Sequence, residues 1–365
     1  MDENLLPVDD LATDEELQRS FVSVSVEPPS APGWGYRIVL PKDWVRDDGP
    51  LTVAPAPERM AQIGLFAEPG PTARRAAIQV WAMLLPFEVN LTDWIEHYAE
   101  QAGMEIIEGH VRDPDRGSPV DAIAQHTLDG REVLTRLTAF SDGDQIFLVA
   151  GSATEGAYGS AAKTLGVAAV SFEPASVTGR EFMEEIADYT DPARRVSFLY
   201  PASWRIEELP AGPQVSGLAL KLEGEDDLLG YLRVQTLNAR RGVSFQEILR
   251  SIRRDLEESG LDLDSLKPVE EEGDWGEKLW SGEVYTSDET KNLCLVGIKP
   301  FVEGLGSGNE EVRRWSEGET LGVVCVLLCP ARERAPLQWM RGKRAFEIVV
   351  ATTQPADSQM SDAGR

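Results

Sequence analysis

"YRIVLPKDW" (residues 36–44) and "VSFLYPASW" (residues 196–204) repeat one pattern in the two halves of a 365-residue chain. Each begins with β-branched and aromatic residues, which predict a strand. A proline ends the run because it has no N–H to donate to a strand ladder. The tryptophan three residues later is expected to plug one end of a core. The markers of this predicted structural repeat are Pro41, Trp44, Pro201 and Trp204.

Both halves continue with the same order of predicted elements. A strand pattern leads into an amphipathic helix pattern at 92–103 in the first half and at 244–260 in the second. Strand-like runs with turn signals follow, such as the Asp-Gly pair at 129–130. Each half closes with a helical stretch and a short strand, at 158–174 and 337–355. Hairpin-linked strands with helices at fixed points predict an α+β fold in which each half is an antiparallel sheet flanked by helices.

The predicted domain organisation is therefore two tandem modules between polar ends. The first module is expected to cover residues 19–176 and the second residues 177–355. The acidic N-terminus, residues 1–18, and the tail, residues 356–365, are expected to be disordered because they have few residues that can bury in a core.

This plan resembles the PsbP/Mog-like superfamily of small α+β modules. The resemblance rests on "LPKDW" (40–44), "YPASW" (200–204), the helix in the middle of each module, and the closing "AAVSFEP" (168–174). The second half departs from the pattern at its end, where "VVATTQP" (349–355) stands in place of the Ser-Phe close. The resemblance covers most of the chain and implies a tandem of two such modules.

The charge balance excludes some classes of partner. With 62 acidic and 35 basic side chains the net charge is −27, which disfavours nucleic acid and anionic membrane surfaces. An acidic surface serves solubility, or it serves a basic or amphipathic protein partner.

Membrane insertion and secretion are not predicted. The first 18 residues have no basic or apolar signal region. The longest apolar run, "LGVVCVLLC" (321–329), is shorter than the roughly 20 residues that span a bilayer. The odd set of Cys294, Cys325 and Cys329 in apolar runs predicts reduced, buried thiols, so a cytoplasmic location is expected.

The sequence predicts no catalytic, metal or cofactor site. His97, His110 and His126 all lie in the first half. Asp93 shares the helix face of His97, but two ligands alone do not make a metal site. No G-x-S-x-G nucleophile elbow is present, and the glycine-rich 304–309 lacks the Gly-Lys-Ser/Thr of a phosphate loop.

Aromatic residues are the remaining candidates for partner binding. Four tryptophans follow residue 270 in the second half, and two of them lie beside the basic stretches 313–314 and 341–344. Core packing accounts for such residues, but an exposed subset forms a binding face, since aromatics and arginine anchor interfaces. The candidate partner-binding residues are Trp275, Trp280, Trp315 and Trp339.

The leading hypothesis is a non-enzymatic protein-binding module. The resemblance implies a narrower role, because its bacterial cytoplasmic members include the Eag-type chaperones of type VI secretion, which shield hydrophobic effector segments. Those chaperones are single modules that pair, and a fused tandem is similar to such a pair. The alternatives are a structural subunit of a larger bacterial assembly, or an enzyme with a site between the modules.

Overall fold

The structure is a computed structural model, and the chain divides into two compact units, Met1–Met183 and Glu184–Arg365. The predicted boundary between residues 176 and 177 falls outside the described residues and stays a prediction. The structure describes residues 12–28, 33–46, 59–70, 75–111, 119–175, 184–191, 196–209, 215–224, 228–238, 266–268, 278–285, 291–301 and 320–355. It also describes the single positions 55, 250 and 254 and the pair 257–258.

The first unit contains three helices and ten strands in its described part. The helices are α1 (Asp14–Ser20), α2 (Leu91–Gln101) and α3 (Glu155–Val170). The strands are β1 (Phe21–Val26), β2 (Tyr36–Pro41), β3 (Val45–Arg46), β4 (Ala61–Ala67), β5 (Ala77–Leu84), β6 (Glu105–Val111), β7 (Val120–Leu128), β8 (Arg131–Asp142), β9 (Gln145–Thr154) and β10 (Glu173–Pro174).

The second unit contains nine strands and one helix with described ends, and the described positions 250, 254 and 257–258 are also helical. The strands are β11 (Ile186–Thr190), β12 (Ser197–Pro201), β13 (Arg205–Glu208), β14 (Val215–Glu223), β15 (Leu228–Asn238), β16 (Lys267–Pro268), β17 (Lys278–Tyr285), β18 (Lys291–Pro300) and β19 (Thr320–Pro330). The helix is α4 (Pro336–Thr352). The helix predicted over 244–260 lies largely outside the described residues.

Both units are built on a seven-stranded antiparallel sheet with the same strand order. In the first unit the order is β3-β4-β5-β9-β8-β7-β6, and in the second it is β13-β14-β15-β19-β18-β17-β16. A smaller sheet accompanies each: β1-β2-β10 in the first unit and β11-β12 in the second, where Ser197 also bridges Gln354. The α+β class with antiparallel sheets is the one predicted.

Local chemistry explains the ends of two elements. Asp129 and Gly130 form the two-residue turn between β7 and β8, and both have positive φ, 51° and 74°, as Asp-Gly hairpin turns require. At the N-terminus the structure differs from the predicted disorder, because residues 14–18 belong to α1. Thr13 and Glu16 form a capping box, in which each side chain accepts a hydrogen bond from the backbone N–H of the other residue. The prediction of disorder rested on composition and did not include this local stabilisation. Residues 1–11 and 356–365 lie outside the described part.

Each unit has its own core between one sheet face and its closing helix. In the first unit α3 packs on β9, β8 and β2, and in the second α4 packs on β19, β12 and β15. Buried aliphatic and aromatic side chains fill both cores, with Ile38 and Phe147 in the first and Phe198 and Leu327 in the second.

The repeat markers form the same turn in both units. The Trp44 N–H donates to the Pro41 carbonyl at 3.2 Å, and the Trp204 N–H donates to the Pro201 carbonyl at 2.9 Å. The two rings differ in burial. Trp204 is 2% exposed and packs against Gly230, whereas Trp44 is half-buried at the edge of the first core.

Candidate binding groove in the second unit

A groove of about 510 Å³ lies at the C-terminal end of α4, next to β11, β12 and the end of β18. Its volume is within the roughly 300–1,000 Å³ of small-ligand and side-chain pockets. The groove is lined by Asp188, Phe198, Leu199, Lys299, Phe301 and residues 351–355.

The sheet registers identify the equivalent place in the first unit. The ladder between β5 and β9 begins with the pair Ala77 and Ser152. The corresponding ladder of the second unit, between β15 and β19, begins with the pair Tyr231 and Leu328. Five residues before Ser152 and Leu328 the chain reaches Phe147 in the first unit and Val323 in the second. Phe147 and Val323 therefore occupy the same place in the two sheets.

The neighbouring strand extends this equivalence to a groove residue. On β8, Phe140 is the partner of Phe147, and on β18, Lys299 is the partner of Val323. Residues directly opposite in an antiparallel pair project from the same face of the sheet. Lys299 consequently stands where the first unit has Phe140.

The ends of the closing helices are also equivalent. The Val39 N–H of β2 donates to Ser171 Oγ at 2.9 Å, just after α3. The Leu199 N–H of β12 donates in the same way to Thr352 Oγ1 at 2.9 Å, at the end of α4. Ser171 and Thr352 thus hold the same position.

The next residue in the chain differs sharply between the units. It is Phe172 in the first unit and Thr353 in the second. Phe172 is 4% exposed and lies inside an aromatic cluster, with ring centroids 5.5 Å from Tyr36, 4.9 Å from Phe140 and 5.5 Å from Phe147. Thr353 is equally buried but small, and it lines the groove. The groove therefore lies beside the position that a phenyl ring occupies in the first unit.

Two phenylalanines of the second unit lie next to this groove. Phe198 stands in β12 where β2 has Ile38, by the register of the repeated Pro-x-x-Trp turn, and its ring packs on Tyr189 at 5.0 Å. Phe301 follows β18 and is half-buried. Phe198 is 2% exposed and belongs to the core, so Phe301 is the ring that presents accessible surface to the groove.

Lys299 closes the helix end of the groove. Its ammonium donates to the carbonyl oxygens of Val350 at 2.9 Å and Ala351 at 2.8 Å. A cation at a helix C-terminus satisfies orphan carbonyls and complements the helix dipole. The Thr353 N–H and hydroxyl both donate to the Val349 carbonyl. The polar wall of the groove is thus held rigidly by the end of α4.

The chemistry of the lining suits binding. Apolar surface comes from Phe301, which is half-buried, and from Leu199, which is 39% exposed. Its ionisable side chains are Asp188, which is exposed, and Lys299, which is engaged by the helix. The lining contains no histidine or cysteine, and no nucleophile next to a base is found among its described residues. Such a surface can hold an apolar group by contact and orient it by charge.

Of the four tryptophans predicted to bind a partner, Trp339 is described with its side chain, and it does not line this groove. Trp339 lies on α4, about 20 Å along the helix axis from the groove, and it is half-buried between Arg332, 5.2 Å from the ring centroid, and Lys343, 5.4 Å from it. Trp280 lies on β17, while Trp275 and Trp315 are outside the described residues. The partner-binding role of these tryptophans stays a prediction.

The groove residues were missed at the sequence level, although one signal pointed to them. The replacement of the Ser-Phe close at residues 171–172 by Thr-Thr at 352–353 was visible as a departure of the second half from the first. Its consequence was not, because Lys299 and Phe301 are distant in sequence and join the site only through the sheet.

Two other kinds of feature, a metal-binding cluster and a membrane-spanning helix, are absent from the described residues. In the described ranges, no cluster of three or more His, Cys, Asp or Glu side chains is arranged to hold a metal ion. Across the same ranges, no helix combines the length and apolar character needed to cross a membrane.

No protein-family model matches the chain, and no curated protein matches it. Three solved structures show partial likeness. Cyanobacterial PsbP (CyanoP) from Synechocystis sp. PCC 6803 is 14% identical, with 42% of this chain and 92% of that chain covered and a TM-score of 0.32. A Bacteroides thetaiotaomicron protein is 16% identical, with 46% of this chain covered but only about half, 47%, of its own length, at a TM-score of 0.26.

The immunity protein TplEi of the type VI secretion system of Pseudomonas aeruginosa, in complex with the "L" peptide, is 7% identical. That match covers 92% of this chain and 98% of TplEi, at a TM-score of 0.22. At these scores nothing about function carries over to this chain, and its fold class follows from its own strands and helices.

Proposed function

We propose that this chain is a non-enzymatic protein-binding protein, and that the groove at the end of α4 receives an apolar part of its partner. One observation carries the proposal: the second unit has Thr353 and Lys299 where the first unit has Phe172 and Phe140. The first unit completes its own core at this place, whereas in the second a groove with Leu199 and Phe301 on its wall lies beside the equivalent position. Exposed apolar grooves mark sites of interaction in soluble proteins.

The charge of the chain restricts the partner further. A net charge of −27 favours association with a basic surface and raises its rate. Asp188 places one carboxylate on the groove wall itself. The partner segment we propose is therefore apolar at its centre and flanked by Lys or Arg.

A narrower form of the proposal concerns the partner's class. In it, the chain is a tandem of two PsbP/Mog-like modules that acts in the cytoplasm as a chaperone or adaptor for a secreted effector, and the bound segment is a hydrophobic stretch of that effector. The repeated strand order of the two units supports the tandem part of this proposal. The chaperone part predicts that the partner aggregates when it is produced without this chain.

The test begins with the tagged full chain purified from its native host and a partner identified at stoichiometric amount by mass spectrometry. The affinity of that partner is then measured for the wild type and for two matched variants, Leu199→Asp and Leu128→Asp. Both leucines are exposed, at 39% and 57%, but only Leu199 lines the groove.

We expect Leu199→Asp to weaken partner binding at least tenfold, about 1.4 kcal/mol, because it places a charge on the apolar wall. Leu128→Asp should bind as the wild type does, with both variants equally stable. Equal affinities for the two variants would contradict a partner site in this groove. A partner that stays soluble and folded without the chain would contradict the chaperone form while leaving the binding form standing.

A further inference from the structure

We infer that the outer edge of β1 in the first unit pairs with the same edge of a second copy of this chain, as two antiparallel strands. This inference goes beyond the proposed function and makes no use of the groove. The strand, "FVSVSV" (Phe21–Val26), contains no charged residue, no proline and no glycine, and its ladder with β2 has no bulge. Edge strands are protected against pairing by exactly such features, so β1 is an unprotected edge.

The open side of β1 is defined by its pairing with β2. In the described part of the chain the order of this sheet is β1-β2-β10, so β1 is the outer strand. The Val39 N–H of β2 donates to Ser171 Oγ and therefore points away from β1. Ser23 is opposite Val39, so these two residues form a pair without mutual hydrogen bonds. The N–H and C=O groups of Ser23, and by alternation those of Phe21 and Ser25, point to the open side.

These outward backbone groups are accessible to another strand. Ser23 and Ser25 are exposed, and on this side neither makes a hydrogen bond with another described residue. The Phe21 N–H is engaged by the end of α1, where it donates to the Leu17 carbonyl. The N–H groups of the two serines and the carbonyls of all three outward residues are left, at the alternating spacing that an added antiparallel strand requires.

The equivalent strand of the second unit has the protection that β1 lacks. The residue opposite the repeated proline is Phe21 in β1 and Ile186 in β11. Two residues later, β1 has Ser23 and β11 has Asp188, and both are exposed. If β11 paired with itself, this carboxylate would face its own copy, and like charges directly opposite destabilise a strand pair. The serine of β1 carries no such penalty.

The sequence around Ser23 is complementary to itself, which favours a second copy as the occupant. When Ser23 faces Ser23 of the other copy, Val22 faces Val24 of that copy. Val22 is 43% exposed, and this contact covers it. The residues four before and four after Ser23 are Arg19 and Glu27, both exposed. The two-fold axis therefore brings the basic end of one strand to the acidic end of the other.

The association is expected to be weak. A ladder formed by one six-residue strand from each copy is a small interface, at the low end of specific contacts. Two chains that each carry a net charge of −27 also repel each other. The dimer should therefore form at high chain concentration and in enough salt to screen this repulsion.

Sedimentation equilibrium of the full chain tests the contact, in about 0.5 M salt. We expect a reversible monomer–dimer equilibrium with a Kd of about 100 μM. Ser23→Asp copies the residue of β11 onto β1 and should raise this Kd about fivefold or more. The control Ser160→Asp adds the same charge at an exposed position of α3 and should leave the Kd within about twofold of the wild type.

Two cysteine variants report the register. Ser23 of one copy should lie about 5.5 Å from Ser23 of the other between Cα atoms, a separation that a disulfide spans. Ser25 faces Phe21 in this register, so the two Ser25 positions are about 13 Å apart. Oxidation with copper–phenanthroline should therefore crosslink Ser23→Cys about fivefold faster than Ser25→Cys. The three native cysteines are buried and do not compete.

A wild-type chain that stays monomeric at about 500 μM would overturn the inference. So would equal Kd values for Ser23→Asp and Ser160→Asp, with both variants folded by circular dichroism, or equal crosslinking of the two cysteine variants. If the wild type is monomeric but Ser23→Asp weakens binding of the partner identified from the native host, the edge receives a partner's strand and the second copy is wrong.

Discussion

A buried ion pair in the first unit is expected to stabilise the folded state only while both of its charged partners are present. Arg136 on β8 is 1% exposed and Asp121 on β7 is fully buried. The Arg136 Nη2 lies 3.1 Å from Asp121 Oδ2 and its Nε 3.4 Å from Oδ1, while the Thr138 hydroxyl also donates to Oδ1. Tyr158 on α3 lies close enough to feel both charges, and burial raises the pKa of its hydroxyl well above the usual range.

The second unit shows that the strand order does not require this pair. By the same registers that relate Phe140 to Lys299, the positions of Arg136 and Thr138 are held by Leu295 and Gly297 on β18. The position opposite Thr138, Asp121 in the first unit, is held by Leu279 on β17. The three equivalent positions of the second sheet therefore carry no charged residue.

The predicted cost follows from the burial. Asp121→Ala removes the carboxylate but leaves a guanidinium that is almost fully buried, and such a change costs about 3–5 kcal/mol. Replacing a whole buried pair by apolar residues is often neutral or stabilising by about 1–4 kcal/mol. The triple variant Asp121→Leu/Arg136→Leu/Thr138→Val also removes the hydroxyl that would lose its acceptor. Its unfolding free energy should fall within about 1 kcal/mol of the wild type, or above it.

The free energy of unfolding of both variants is measured by urea unfolding followed by circular dichroism. Because a chain of two units need not unfold in one step, the transition that Asp121→Ala shifts is assigned to the first unit. Since the pair is shielded from solvent, the loss in Asp121→Ala should be the same at low and high salt. A triple variant as unstable as Asp121→Ala, or an Asp121→Ala cost below about 1 kcal/mol, would refute the reasoning.

Three further changes test the packing. Trp204→Ala should cost about 3–5 kcal/mol because the ring is buried, whereas Trp44→Ala should cost roughly half of that, as its ring is half-exposed; equal losses in urea unfolding would contradict the difference in burial. Gly230→Ala places a methyl group 2.7 Å from the Trp204 ring and should lower stability by about 1–3 kcal/mol, so an unchanged melting temperature would show that the ring moves freely. Burial raises the pKa of the Cys294 and Cys329 thiols to about 12, so a thiol reagent at pH 8 should leave both unmodified in the folded chain and react with both in urea; rapid labelling of the native protein would disprove their burial.

Patterns short in sequence were enough to predict much of the fold. The strand-Pro-x-x-Trp openings at 36–44 and 196–204 carry their own stop signal, and both form the expected strand and turn. The Asp129-Gly130 pair is a turn because these residues tolerate positive φ at low cost. The α+β class follows from such signals, since each acts over a few residues and needs no distant partner.

The groove came from the tertiary structure. Thr353 and Lys299 share a site only because β18 and β19 pair in one particular register and α4 ends beside them. A shift of one residue in that register would turn Lys299 to the opposite face of the sheet. The exchange of Phe172 for Thr353 is visible in the sequence, but only the pairing of the strands and the position of α4 bring Thr353 into one groove with Lys299 and Phe301.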